Sequence, residues 1–345
     1  MKMQNRSIIA VLLFVLLVSG LTYSQNEKLA QSGFQFLSVV SDARAAAMAD
    51  AMTSLQVGSS ALFFNPAGMA SMENFMDVTV STNKWIADIQ HNTASLAISP
   101  ARGNYGVIGF SLQSVDYGDF YGTRVDKSTA LGYVDTEIFN LTAFAMGMGY
   151  AKQLTDRFSV GGQVRWVNQD LGQSVVPEFG SKLDSTGVAV PDTSEKDISS
   201  DLTPLAFDFG TQFRTDFKSL VFGMSVRNFS KEIKYVEEGF QLPLVFNLGI
   251  SMNVMDFWGE APMEQALYVS VDASHYRSHA EQIKVGLDYR MLNVLSLRGG
   301  YVSNNDESGF SFGLGLSSFG LTFDYAYTPF GVFDNVQRMT ARFSM

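Results

Sequence analysis

His275 and His279, four residues apart in the run His275-Tyr276-Arg277-Ser278-His279, have the type and spacing of a metal-ligand pair. A helix would bring both imidazoles to one face, and Asp272 or Glu281 would have to complete the set. The run instead sits at an expected hairpin tip, which points to a solvated turn. His91 alone lies close to a strand body, and a hydrolase would need a serine and an orienting acid or amide beside it. No serine is tied to His91 by spacing. Cysteine is absent from all 345 residues, which removes metal thiolates and disulfides together. The chain therefore reads as nonenzymatic, with no cofactor and no metal site expected.

The elements that would hold any site begin with an export signal. Lys2 and Arg6 precede an apolar run from Ile8 to Val18, and Thr22-Tyr23-Ser24 supplies a small-x-small cleavage pattern, so residues 1–24 read as a signal peptide. Cleavage would remove two of the 24 basic residues and none of the 34 acidic ones, leaving 22 against 34, a net charge of −12. An acidic balance of this kind argues against nucleic acid as a partner. After the signal, no segment reaches the roughly eighteen unbroken apolar residues of a membrane helix. If the chain crosses a membrane, it must do so as a closed barrel, because an open sheet edge leaves backbone groups unpaired in hydrocarbon.

Residues 74–345 carry the pattern of such a barrel. About fourteen segments between Phe75 and Met345 alternate bulky apolar residues with polar or glycine ones. Phe158, Val160, Val164 and Trp166 alternate with Ser159, Gly161, Gln163 and Arg165; Leu205, Phe207 and Phe209 alternate with Asp208 and Gly210. The polar face carries both signs of charge, among them Arg165, Asp208, Arg227, Asp272, Lys284, Asp288, Arg290, Arg298 and Asp324, which suits a hydrated or salt-bridged lumen. Connections are tight near Thr155-Asp156, Met291-Leu292 and Ser317-Ser318. The alternate set is longer, with loops expected at Tyr117 to Thr136, Leu171 to Asp201 and Ser230 to Pro243. Short turns on one rim and long loops on the other are the plan of an outer-membrane barrel with its turns in the periplasm. The long Val254 to Glu264 connection breaks that rule and carries Phe257 and Trp258, read as interfacial aromatics.

Residues 25–73 do not alternate. Ser41 or Asp42 is an N-cap for an alanine-rich helix through Met52, a second helical stretch spans Ser59 to Phe64, and Asn65-Pro66-Ala67-Gly68 breaks it. So small a segment needs a surface to pack on, and the lumen of the following barrel is the nearest one. Phe63, Phe64, Met69 and Met72 would either pack this segment on the wall or line a hydrophobic path.

The runs Gly33-Phe34-Gln35-Phe36-Leu37, Ala43-Arg44 to Ala51, Asn65-Pro66-Ala67-Gly68-Met69-Ala70 and Asn83-Lys84-Trp85-Ile86-Ala87-Asp88-Ile89 resemble the opening of the PorV/PorQ family of outer-membrane proteins, relatives of the FadL-type channels. Asp116 to Asp119, Leu154 to Gly161 and Val226 to Phe229 extend the resemblance across the mature chain. It departs at Ala49, where glycine is expected. The resemblance implies an all-β, fourteen-stranded antiparallel transmembrane β-barrel with a short helical N-terminal hatch in the lumen. Asn65, Pro66, Ala67, Arg44 and Phe64 are its expected hatch or gating residues. Two functions follow from it as expectations: a component of type IX protein export that docks or shuttles cargo, or a FadL-like channel for hydrophobic small molecules. The corresponding partners are outer-membrane lipid, a secretion translocon with its secreted cargo, and a hydrophobic ligand in the lumen.

Overall fold

The structure is a computed structural model and describes residues 32–126, 128–183, 189–234, 239–258, 265–305, 308–333 and 335–345. The expected signal over residues 1–24 lies outside the described residues. In chain order the strands are β1 Met76–Lys84, β2 Gln90–Ile98, β3 Val107–Val125, β4 Tyr133–Thr155, β5 Phe158–Leu183, β6 Ala189–Leu202, β7 Leu205–Arg214, β8 Val221–Phe229, β9 Ile233–Lys234 and β10 Gly239–Phe240. They continue as β11 Val245–Asn253, β12 Ala266–Tyr276, β13 Gln282–Met291, β14 Leu295–Val302, β15 Phe310–Ser318, β16 Leu321–Thr328 and β17 Val336–Ser344. Fourteen of them close into one antiparallel barrel; β9 and β10 form a small ladder of their own, and β6 prolongs a hairpin above the rim. Closure is made by β17 against β1, in register from Asp77 opposite Ser344 to Lys84 opposite Gln337. No strand of the barrel keeps an unpaired edge within the ring, which is what lets a sheet stand in hydrocarbon.

The period of two sorts the side chains as the sequence implied. Leu205 and Phe209 of β7 are exposed on the outside while Ala206, Asp208 and Gln212 are buried. The outward row repeats on the other walls, through Phe110 and Leu112, Phe222 and Met224, Leu248 and Ile250, and Phe312, Leu314 and Leu316, all exposed. A belt of large apolar groups around a closed sheet is the surface that lipid covers. Among the described residues, no helix is long and apolar enough to cross a membrane.

Two of the expected loops are strand instead. β3 runs on to Val125 and β4 begins at Tyr133, with Phe120 opposite Phe139 and their rings 5.7 Å apart. Likewise β5 continues to Leu183 and pairs with β6, and β6 passes through Thr203 and Pro204 into β7 on the same side of β5. Above the rim both faces of a hairpin meet solvent, so nothing imposes the alternation that marks a strand lower down. At the turn rim the connections are short, at 156–157, 292–294 and 319–320. The exception, after β11, begins as a 3-10 turn at Val254–Phe257; Phe257 lies against Phe217 at 6.0 Å, and Ser219 N donates to Asp256 Oδ2 at 3.2 Å. Those contacts tie two neighbouring turns together, while Trp258 stays 72% exposed.

Candidate functional site: the lumen and its loop-rim mouth

Residues 32–73 thread the barrel. Gly33 N donates to Gln241 O at the loop rim (3.2 Å), and Ser99 Oγ donates to Met72 O at the turn rim (3.3 Å). Between these ends, a five-residue helix α1, Ala43–Ala47, starts where Asp42 Oδ1 accepts from Ala45 N at 2.7 Å. The helix stops at Ala49 and Asp50, whose φ of 51° and 62° are left-handed. The position where the resemblance expects glycine thus holds an alanine in a conformation that costs an L-residue about 1–2 kcal/mol.

The wall holds this segment through charge. Arg44 Nη2 lies 3.2 Å from Asp288 Oδ2, and the buried Asp288 also takes Arg290 Nη2 at 3.0 Å and Arg298 Nε at 3.1 Å. Arg298 reaches on to Asp324 at 2.6 Å. Asp50 Oδ2 accepts from Lys284 Nζ at 2.7 Å, and Tyr276 OH accepts from the same ammonium at 2.8 Å. Wall carboxylates also take backbone donors: Thr53 N gives to Asp272 Oδ2 at 2.9 Å and Ser59 N to Asp77 Oδ1 at 2.8 Å. The salt-bridged reading of the lumen holds at these positions.

Asn65 ties the lower half of the segment together and to the wall. Its Oδ1 accepts from Ala67 N at 3.1 Å, and its Nδ2 donates to Thr53 O at 2.7 Å and to Thr211 O of the wall at 3.0 Å. Pro66 opens the 3-10 turn Pro66–Met69, where its missing N–H costs nothing. Phe63, Phe64 and Met69 are buried with Leu62, Val107, Ala97 and Ala151 in one apolar cluster, against which Met72 packs. In the structure they pack the segment on the wall.

Glycines on the inward face make this fit possible. A β-carbon added at Gly161 would lie 2.5 Å from the Pro66 carbonyl carbon, at Gly286 2.8 Å from Met48 Cβ, and at Gly313 2.5 Å from Ala47 Cβ; at Gly210 it would collide with Asn65 Oδ1. From the sequence these glycines look like the wet side of the alternation; in the structure they are the seats of the inner segment.

Above the segment, the loop-rim mouth holds a cavity of about 590 Å3 floored by Phe36, Val40 and Ala49 and walled by Trp85, Tyr276 and Phe310. A second cavity of about 740 Å3 lies beside it, between Phe34, Tyr117, Leu171 and Phe240. Such volumes fall within the roughly 300–1,000 Å3 of small-molecule sites. His275 and His279 stand at this rim with separate partners, Nδ1 of His275 3.1 Å from Glu281 Oε1 and Nδ1 of His279 2.7 Å from Ser278 Oγ. Among the described residues, no three His, Cys, Asp or Glu side chains are grouped to hold a metal ion. His91 is buried edge-on to Trp85 at 6.0 Å.

No protein-family model matches the chain, and no curated protein matches it. Solved structures do. The toluene transporter TbuX of Ralstonia pickettii is similar over 88% of this chain and 98% of its own, with a TM-score of 0.58 at 13% identity. A FadL homologue of Pseudomonas aeruginosa covers the same shares at a TM-score of 0.55 and 13% identity. The toluene transporter TodX of Pseudomonas putida does so at 0.54, again with 13% identity. These likenesses show a shared fold, and the PorV/PorQ resemblance rests on the sequence motifs alone. At such identities what is shared is the fold: this chain folds as a FadL-type barrel.

Proposed function

We propose that the protein is an outer-membrane channel for hydrophobic small molecules, with the long-loop mouth outward and residues 32–73 as its hatch. The observation that carries this reading is the 590 Å3 cavity at the mouth, floored by the inner segment itself. A molecule settling there touches the element that has to move. In this reading Arg44 and Asp50 are the charge latches, Asn65 with Pro66 and Ala67 is the hinge, and Phe64 is the packing that resists opening. The outward apolar belt, the expected signal and the FadL-type fold support the outer membrane as its location. The neighbours' substrates do not transfer by fold alone, so the test is direct. Cells lacking the gene should take up a monoaromatic hydrocarbon several-fold more slowly from dilute solution, with recovery on re-expression. Equal uptake with and without the barrel would refute the channel.

A second reading, a docking or shuttle component of type IX protein export, draws support from one structural feature besides the PorV/PorQ-like motifs. The inner segment is latched to the wall along its whole length, from Gln113 Nε2 on Phe36 O at 2.8 Å to Asn65 on Thr211, which suits a barrel kept shut as a scaffold. Deleting the gene and measuring surface delivery of secreted proteins separates the two: export requires the barrel only if delivery falls.

A further inference from the structure

At the loop-rim end of the lumen the sheet register lines up three polar side chains. His91 of β2 stands directly opposite Asn83 of β1, and Asn83 stands directly opposite Arg338 of β17. Opposite residues of an antiparallel pair have β-carbons about 4.5–5.5 Å apart, so the three form one short row on the inner wall. All are buried, with 5%, 1% and 3% of their surface exposed. Their hydrogen bonding is incomplete: Asn83 Oδ1 and Nδ2, His91 Nδ1 and Arg338 Nε have no partner among the described residues. The guanidinium makes one bond, from Nη1 to Thr328 Oγ1 at 3.2 Å. Among the described residues it has no carboxylate in ion-pair range. The row's outer members, His91 and Arg338, line the 590 Å3 cavity.

Buried polar groups are nearly always paired, and a buried cation more strictly than others. The row holds four unpaired atoms and its two outer members reach the wall of a cavity, so it describes half of a binding site. Its chemistry is legible. The cavity's other buried cation, Lys284, is paired with Asp50, whereas Arg338 makes no ion pair among the described residues and feels Asp42 and Asp50 only from further off, so its guanidinium is the one that suits an anion. A planar carboxylate suits the guanidinium fork, with the amide of Asn83 behind it in the wall. Flat apolar surfaces stand next to it: the Arg338 guanidinium lies 5.4 Å from the Trp85 ring centre, and Phe330 meets that ring edge-on at 5.1 Å.

We propose that this row binds a small aromatic monocarboxylate, its carboxylate on Arg338 with Asn83 behind that guanidinium and its ring in the corner of Trp85 and Phe330. The proposal rests on the small-molecule reading and sharpens it, since it gives the preferred ligand a charge that a hydrocarbon lacks. The test is isothermal titration of the full-length barrel in detergent with benzoate, toluene and hexanoate. Benzoate should bind at least tenfold more tightly than either of the others. Arg338→Met should weaken benzoate at least tenfold and toluene less than twofold, and Asn83→Ala should weaken benzoate alone by several-fold. Heat-modifiable gel migration reports whether each variant is folded, and the wild-type ranking stands without them. Toluene or hexanoate binding as tightly as benzoate, or benzoate unaffected by Arg338→Met, overturns the proposal while leaving the channel in place. Absence of binding by all three overturns both.

Discussion

Replacing Asp50 by Asn isolates one latch with little disturbance of shape. Residue 50 has a φ of 62°, which asparagine tolerates well, so the substitution removes charge without adding backbone strain. It leaves Lys284, whose side chain is 5% exposed, as a buried ammonium with Tyr276 OH as its hydrogen-bond partner and Asp272 opposite it on the neighbouring strand. Breaking a buried pair by removing one partner costs about 3–5 kcal/mol. Asp50 itself is 17% exposed, and Tyr276 remains, so a cost of about 2–3 kcal/mol is the better figure. If that cost falls on seating of the inner segment, its local opening becomes roughly 30- to 150-fold more frequent. Amide hydrogen exchange reads this at Met48 and Asp50, whose N–H groups donate to Arg44 O at 3.2 Å and Ala45 O at 2.8 Å. Amides of β1 serve as the internal control. Adding Lys284→Met should restore most of the protection, because no unpaired charge is then left behind. Acceleration below threefold, or an equal acceleration in β1, would refute the view that this pair holds the segment.

Seating also depends on the wall glycines: Gly161→Val and Gly210→Val should displace the segment and speed exchange around Asn65, whereas Gly299→Ala, whose nearest neighbour is Ser311 O at 3.9 Å, should match the wild type. Asn65→Ala removes a cap and two bonds to carbonyls and should destabilise the seated segment by about 2 kcal/mol, read by the same exchange assay. On the lipid side, Leu314→Arg should cost the folded barrel about 2–4 kcal/mol in vesicle refolding titrations if that face lies near the bilayer midplane, and no change there would argue against the assigned belt.

Much of this molecule can be read one residue at a time. The period of two assigns Leu205 and Phe209 outward and Asp208 inward without knowledge of any neighbour, because successive side chains of a strand take opposite faces. Asp42 and Pro66 mark the local turns of the inner segment for reasons within three residues of themselves. The protruding hairpins were not legible, since solvent on both faces of Phe120 to Val125 erases the pattern. Nor were the seats at Gly161 and Gly210, because a glycine on a polar face looks the same whether water or another backbone lies against it.

By itself, then, the sequence determined a closed sheet with a greasy outside, a charged inside and an unpatterned segment to fill it, since each depends on local periodicity and composition. Which charge meets which was decided only by the closed barrel. Asp50 and Lys284 stand 234 residues apart, and only strand register and ring closure fix that distance in space. The same closure sets His91, Asn83 and Arg338 in one row, from three strands that join the two ends of the barrel sequence. A binding site of that kind has no motif, because its spacing exists across strands and not along the chain.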